Sequence, residues 1–219
     1  MKNENNNSVS DRIIQDFQNI SYNMLEPILV PCFKHGIPQN RKRVIFIGYR
    51  DKTENIDEFI TKFKNINISY NPLNNIIENS LENSIMVENL ESYGCNLWKD
   101  VDNILSLQGK PATNLLKCIE QNKLSWGKRN SSTHSEIVNL NGYSKTIQCT
   151  YGRMPRLFVP LKCNDKYYLR EFTINELKQI QGFPKDYKLY GNKLSQITQI
   201  GNAVPPIIVK HIIENLINI

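Results

Sequence analysis

The sequence predicts an α/β fold in two parts, residues 10–50 and 169–219, interrupted by a small mixed insert at 51–168. Three observations predict it. Two short apolar runs, Ile28–Phe33 and Val44–Tyr49, have the length and composition of buried strands. Two punctuated helix patterns close the chain, one after Thr173 and one after Gly201. The stretch between is polar and Asn-rich, with turn signals at Gly127, Asn141-Gly142, Gly152 and Asn164-Asp165.

Residues 1–9, with Asn5-Asn6-Asn7, are expected to be disordered. Ser10 is expected to cap a helix running through Asn19, with Ile13, Ile14, Phe17 and Ile20 inward, until Glu26-Pro27 breaks it. The two strands follow, joined by Gly36-Ile37-Pro38-Gln39-Asn40-Arg41-Lys42-Arg43, which by itself reads as a basic turn. Within the insert, short helices are expected at Ile56–Phe63 and Trp98–Leu105, and 126–168 reads as loop and strand. Thr173 and Glu176 form a capping box, with Ile174, Leu177 and Ile180 as one apolar stripe. Gly182 suits the left-handed position after that helix, and Pro184 prevents its continuation. Gly201-Asn202 before Pro205-Pro206 reads as a second helix start capped by Asn202. That helix is expected to bury Ile208, Val209, Ile212, Ile213 and Leu216 and to expose Lys210, His211, Glu214, Asn215 and Asn218.

At 219 residues and 40% hydrophobic content the chain can build one large domain or two small ones. The net charge of +6 is unevenly spread: residues 51–109 carry 4 basic and 10 acidic side chains, residues 110–170 carry 11 basic and 3 acidic. The second stretch is either a surface for a polyanion or a solvated basic face. No apolar run has the length of a membrane span and no signal-peptide pattern is present, so a cytoplasmic, nucleoid-associated protein is expected. Cys32, Cys95, Cys118, Cys149 and Cys163 are scattered and form no CxxC pair, so neither a disulfide framework nor a metal site is expected.

Three segments carry a functional signal when taken in order. They are Gln39-Asn40-Arg41-Lys42-Arg43, Arg170-Glu171-Phe172-Thr173 through Gln181-Gly182-Phe183-Pro184, and Gly201-Asn202-Ala203-Val204-Pro205-Pro206. Together they resemble the C-terminal blocks of the cytosine-5 DNA methyltransferases. The resemblance implies an incomplete Rossmann-like methyltransferase domain with an inserted small mixed target-recognition domain, double-stranded DNA in the cleft between, and a flipped cytosine as substrate. It makes Arg41 and Arg43 the clamp on the base and a nearby phosphate, with Gln39 ordering their loop. A guanidinium is always charged and forks onto oxygen acceptors, which suits that task. Asn202, Ala203 and Val204 would border S-adenosylmethionine, with Asn202 able to cap a helix as well. Thr146-Ile147 falls where the family has a Thr-Leu-type pair, one conservative step away. With Lys145 it would touch DNA, supported by a strand carrying Arg153 and Arg156. The loop Trp126–His134, with Lys128 and Arg129, reads either as DNA-contacting or as mobile surface.

The resemblance also implies a cofactor-glycine block, a Pro-Cys-Gln nucleophile loop and a Glu-Asn-Val block, all before the arginines. Two look-alikes are rejected. Pro31-Cys32-Phe33 reads as a buried strand cysteine, and Val87-Glu88-Asn89-Leu90 lies after the arginine block, out of order. The expectation is therefore a C-terminal part of a methyltransferase of restriction-modification type, inactive without an N-terminal partner chain that carries the cysteine. The alternatives are a stand-alone DNA-binding module, an inactive gene remnant or, with all three matches by chance, an unrelated α/β protein.

Overall fold

The computed structural model describes residues 8–50, 56–102 and 109–217. Its first helix, α1 (Val9–Gln18), is capped by Ser8 rather than Ser10. Only Ser8 has an acceptor three residues on: Asp11 answers the Ser8 hydroxyl in a reciprocal capping box. The expected inward face is not covered. Ile13 and Ile14 are half-buried, and Phe17 and Ile20 are exposed.

β1 (Asn23–Met24) and β2 (Ile28–Pro31) follow, and β2 ends in a single 3-10 turn at Cys32–Lys34. Then come β3 (Gln39–Asn40), β4 (Lys42–Ile45) and β5 (Gly48–Tyr49), so the run Val44–Tyr49 is two short strands rather than one. β2 and β4 pair antiparallel, with Leu29 opposite Val44 and Val30 opposite Arg43. The composition of both runs suits buried strands, yet Leu29 is 58% and Val44 50% exposed. Strand alternation puts these two on one side. Ile28, Val30 and Ile37 turn the other way, against Phe59 and Phe63 of α2 (Ile56–Lys64).

A second body begins at α3 (Leu73–Ile76), β6 (Ile85–Val87), β7 (Lys99–Asp100), α4 (Thr113–Glu120), β8 (Leu124–Trp126), β9 (Ser135–Ile137) and β10 (Ser144–Lys145). β11 (Leu157–Cys163) and β12 (Lys166–Glu171) form its central hairpin, turned by Asn164 and Asp165 at φ 48° and 60°. The mixed sheet runs β6-β12-β11-β9-β8, with β7 beside β11. Lys99 and Asp100 pair with Leu161 and Lys162, which replaces the helix expected from Trp98; residues 103–105 lie outside the described residues. Alternation along β11 sends Leu157, Val159 and Leu161 to one core and Phe158 to the other.

α5 (Ile174–Gln181) has the predicted Thr173–Glu176 capping box and ends at Gly182, φ 85°. α6 (Lys193–Asn202) corrects one expectation: Gly201 and Asn202 end a helix instead of starting the next, and Ala203 is its C-cap. α7 (Pro206–Ile217) starts at the prolines. The cores regroup the elements. α5 and α6 pack on the sheet with Leu140, Ile147 and Val159, whereas α2 and α7 pack on the β2–β4 ribbon. Ile208 is buried, but Val209 and Ile213 are exposed, and His211 is half-buried, contrary to the stripe read from sequence. Asn218 lies outside the described residues.

His211 meets His35, Nδ1 to Nδ1 at 3.1 Å, which fastens α7 to the loop after β2. One ring must donate and the other accept. Burial, and then the charge of His211, push His35 from 6.5 down to about 4. The unfolded chain therefore takes up this proton first as pH falls. The contribution of His35 to stability is full above about pH 6.5, falls toward pH 4 by at most about 3 kcal/mol, and changes no further below. Urea unfolding at pH 7.5 and pH 5 should show this drop, and His35→Phe should flatten it. An equal pH slope in both proteins would refute the assignment.

Candidate active and DNA-contact site

The arginine block and the Thr146 segment, far apart in sequence, are brought together by a short parallel pair. Ser144 lies opposite Gln39 and Lys145 opposite Asn40. The Thr146 hydroxyl donates to the Asn40 carbonyl at 3.0 Å. Gln39 is fully buried and bridges three segments: its Nε2 donates to Gln181 Oε1 (2.7 Å) and the Ile180 carbonyl (3.2 Å), and its Oε1 accepts from the Ile147 amide (3.1 Å). Gln181 Nε2 in turn donates to the Ala203 carbonyl at 2.8 Å.

The two arginines have different surroundings. Arg41 is 2% exposed and donates from Nη1 to the Ile147 carbonyl (3.0 Å) and from Nη2 to the Gly201 carbonyl (2.8 Å). Its Nε is buried without a partner among the described residues, and burial lowers its affinity for the proton. Arg43 is half-buried on β4, and its one direct hydrogen bond among the described residues is from Nη1 to the carbonyl of Lys42 (2.8 Å). Arg41 is therefore a tie between three segments, whereas the Arg43 fork has donors to spare.

Beyond Thr146 the chain enters a turn, not the strand expected to carry Arg153 and Arg156. The turn is seated on α6. A Cβ on Gly201 would stand 2.4 Å from the Cys149 amide nitrogen, so only glycine allows this approach. Tyr151, buried beneath, donates to the Leu157 carbonyl (2.7 Å) and accepts from the Phe172 amide (3.0 Å). Arg129, Lys145, Thr146, Gln148, Met154 and Arg156 line one cleft beside this turn.

The residues expected at DNA are thus unequally placed. Lys128, Arg129, Thr146 and Arg153 are exposed. Lys145 is turned onto the buried carboxylate of Glu136, and Arg156 holds the Ser132 carbonyl at 2.6 Å. Ile147 is fully buried in the sheet core, so its side chain cannot reach DNA; apolar packing beside two backbone ties keeps it inside. Arg153 lies outside this cleft. Asn202 and Val204 are exposed, while Ala203 is half-buried with its carbonyl already engaged. Sequence reasoning missed Gln181 as the link between blocks, since a glutamine near a helix end signals nothing about a partner more than a hundred residues away.

The two look-alikes have unlike surroundings. Cys32 is enclosed, and burial pushes its thiol up in spite of Arg41 and Arg43 nearby, which keeps it protonated. Glu88 is exposed in the turn after β6. Among the described residues no cluster of His, Cys, Asp or Glu could hold a metal, and no helix is long and apolar enough to cross a membrane.

The family described as C-5 cytosine-specific DNA methylase matches residues 1–218. The type II methyltransferase M.DdeI of Desulfomicrobium norvegicum is 26% identical over 99% of this chain and 59% of its own length. The type II methyltransferase M.FnuDI of Fusobacterium nucleatum is 27% identical over 97% of this chain and 61% of its own. The chain spans about three fifths of the length of these relatives. The S. pombe Dnmt2 methyltransferase structure superposes with a TM-score of 0.58 at 14% identity, covering 95% of this chain and 60% of that one, a likeness that shows the fold.

Proposed function

The chain belongs to the C-5 cytosine-specific DNA methylases, and on that premise we propose that it supplies the target-recognition, arginine-clamp and partial cofactor-wall portion of a cytosine-5 DNA methyltransferase. Residues 10–50 with α2 and α7 serve as the C-terminal part of the catalytic domain. The β6–β12 sheet serves as the recognition domain, with α5 and α6 fixed to it. The remainder of the methyltransferase domain, supplied by a partner chain or by another segment of the same polypeptide, carries the nucleophilic cysteine and the glutamate.

The observation that carries this reading is the uncovered apolar surface of the catalytic part. Leu29 and Val44 stand exposed on one face of a two-stranded ribbon. Phe17, Ile20, Val209 and Ile213 are exposed as well. Leu29 and Val44 lie side by side across the two strands, an apolar pair of the kind that an interaction site presents. The remainder of a methyltransferase domain is the occupant that fits a bare ribbon of this fold.

Within the site, Arg43 is the clamp on the flipped base, because its guanidinium has donors to spare. Arg41 and Gln39 hold the loop that presents it. S-adenosylmethionine, when bound, supplies the methyl group. The exposed Asn202 amide and Val204 side chain fit one wall of its site, and the engaged Ala203 carbonyl fits only as support. Lys128, Arg129 and Thr146 face the duplex.

The test is co-expression with a polypeptide carrying Pro-Cys-Gln and Glu-Asn-Val blocks, followed by methyl transfer from labelled S-adenosylmethionine to duplex DNA. The mixture should be active, and Arg43→Ala should lower the rate at least about 100-fold with folding intact. Methylation by this chain alone would overturn the partner requirement. An inactive complex would overturn the proposed function, and an active Arg43→Ala would overturn the clamp.

A further inference from the structure

The turn that follows Ile147 has a cleft on each side: Arg129, Lys145, Thr146 and Arg156 line one, and Arg153, also expected at DNA, lines the other. The second, about 550 Å³, lies between Arg153 and one face of α6. Asn192, Ser195, Thr198 and Asn202 line it at helical spacing, and no carboxylate lines either cleft. We propose that this second cleft seats the phosphodiester backbone of a DNA strand. Arg153 is its cation, and the turn is the ridge over which the strand passes. The proposal rests on DNA being the substrate, as argued above.

The hydrogen bonds inside the cleft select the ligand. Asn192 Oδ1 is already taken by the Ser195 amide (2.9 Å), and Ser195 Oγ by Gln199 Nε2 (3.2 Å). Each oxygen keeps a second lone pair, but the Asn192 N–H₂ and the Ser195 O–H give the cleft hydrogens to donate to an acceptor. With an exposed guanidinium opposite, the cleft presents donors and positive charge, which suits an anionic acceptor such as a phosphate. Such contacts fix register without reading sequence. The row from Asn192 to Thr198 runs about 9 Å along the helix, the rise of roughly two to three nucleotides of one strand, and leaves Asn202 to the cofactor wall.

The two walls are held as one unit. Gly201 rests against the Cys149 backbone, a Cβ on Gly152 would stand 2.9 Å from Leu194 Cδ2, and the Thr198 hydroxyl, which donates within its own helix to the Leu194 carbonyl (2.9 Å), stands 3.4 Å from the Cys149 carbonyl. A strand seated here is therefore positioned relative to Asn202 at the far end of the same helix face.

Fluorescence anisotropy of the full chain with duplexes of several unrelated sequences, over a range of salt, tests this. Arg153→Ala should weaken binding by a similar factor for every sequence and reduce the slope of log affinity against log salt by about 1. Ser195→Ala should weaken it by about threefold and leave the slope alone. Thermal melts of both variants should match the unsubstituted chain. Binding with affinity and slope untouched by Arg153→Ala would overturn the seat, as would a loss confined to some sequences. Failure of the unsubstituted chain to bind any duplex would sink the DNA reading itself, and the seat with it.

Discussion

Arg170→Met is expected to destabilise the chain by about 3–5 kcal/mol, the cost of leaving a buried charge without its partner. Arg170 is 1% and Glu176 0% exposed. The guanidinium uses all its donors: two reach Glu176 (2.7 and 2.8 Å), and the rest reach the carbonyls of Ser80 (2.9 Å), Glu171 (2.9 Å) and Glu78 (3.1 Å). The Glu176 carboxylate also accepts from the amides of Glu78 and Thr173, each at 2.8 Å. Every oxygen is thus committed, and removing the arginine leaves the carboxylate enclosed and half-satisfied. The pair welds α5 to the end of β12 and the loop at Glu78, so α6 and Asn202 lose their mounting as well. Urea unfolding followed by tryptophan fluorescence would measure the loss. Arg170→Met with Glu176→Leu should recover most of it, since an apolar pair of similar volume is often neutral. A single variant within about 1 kcal/mol of the unsubstituted chain would show that the pair does not hold the two elements.

This pair also shows where sequence stops being informative. Thr173 and Glu176 announce a capping box from their spacing, and the box is there. The same Glu176 carboxylate is the buried partner of Arg170, which no local pattern reveals, because burial depends on what folds over it. The ribbon fails in the opposite direction. Leu29 and Val44 are read as buried because apolar runs usually are, but burial needs a cover, and the described residues leave one face open. Gly201-Asn202 misleads for a third reason. The following prolines make a helix start plausible, while the polar residues before it, Ser195 and Thr198, hide the helix that ends there. The three family blocks were legible in the sequence. Their meeting was not, since it depends on the Ser144–Gln39 pairing and on a glycine that lets two backbones touch.

Arg41→Met is expected to cost about 3 kcal/mol. Hydrogen bonds to a charged group contribute about 1.5–3 kcal/mol each, and Arg41 makes two short ones, to Ile147 and Gly201. The relief of a buried cation with no carboxylate beside it offsets part of that loss. Arg41→Lys should retain about half of the stability, because a single ammonium replaces a fork that spans both carbonyls. The consequence should be local as well as global. Freed of this tie, the turn after Ile147 and the end of α6 should exchange their amide hydrogens faster than the β11–β12 hairpin does. Arg43→Ala provides the contrast: among the described residues its half-buried guanidinium has one direct hydrogen bond, to a neighbouring carbonyl, so stability should change by less than about 1 kcal/mol while methyl transfer by the proposed complex is lost. If Arg41→Met instead abolished transfer with stability and exchange unchanged, Arg41 would be a base contact and not a tie. The two arginines would then have to share the clamp.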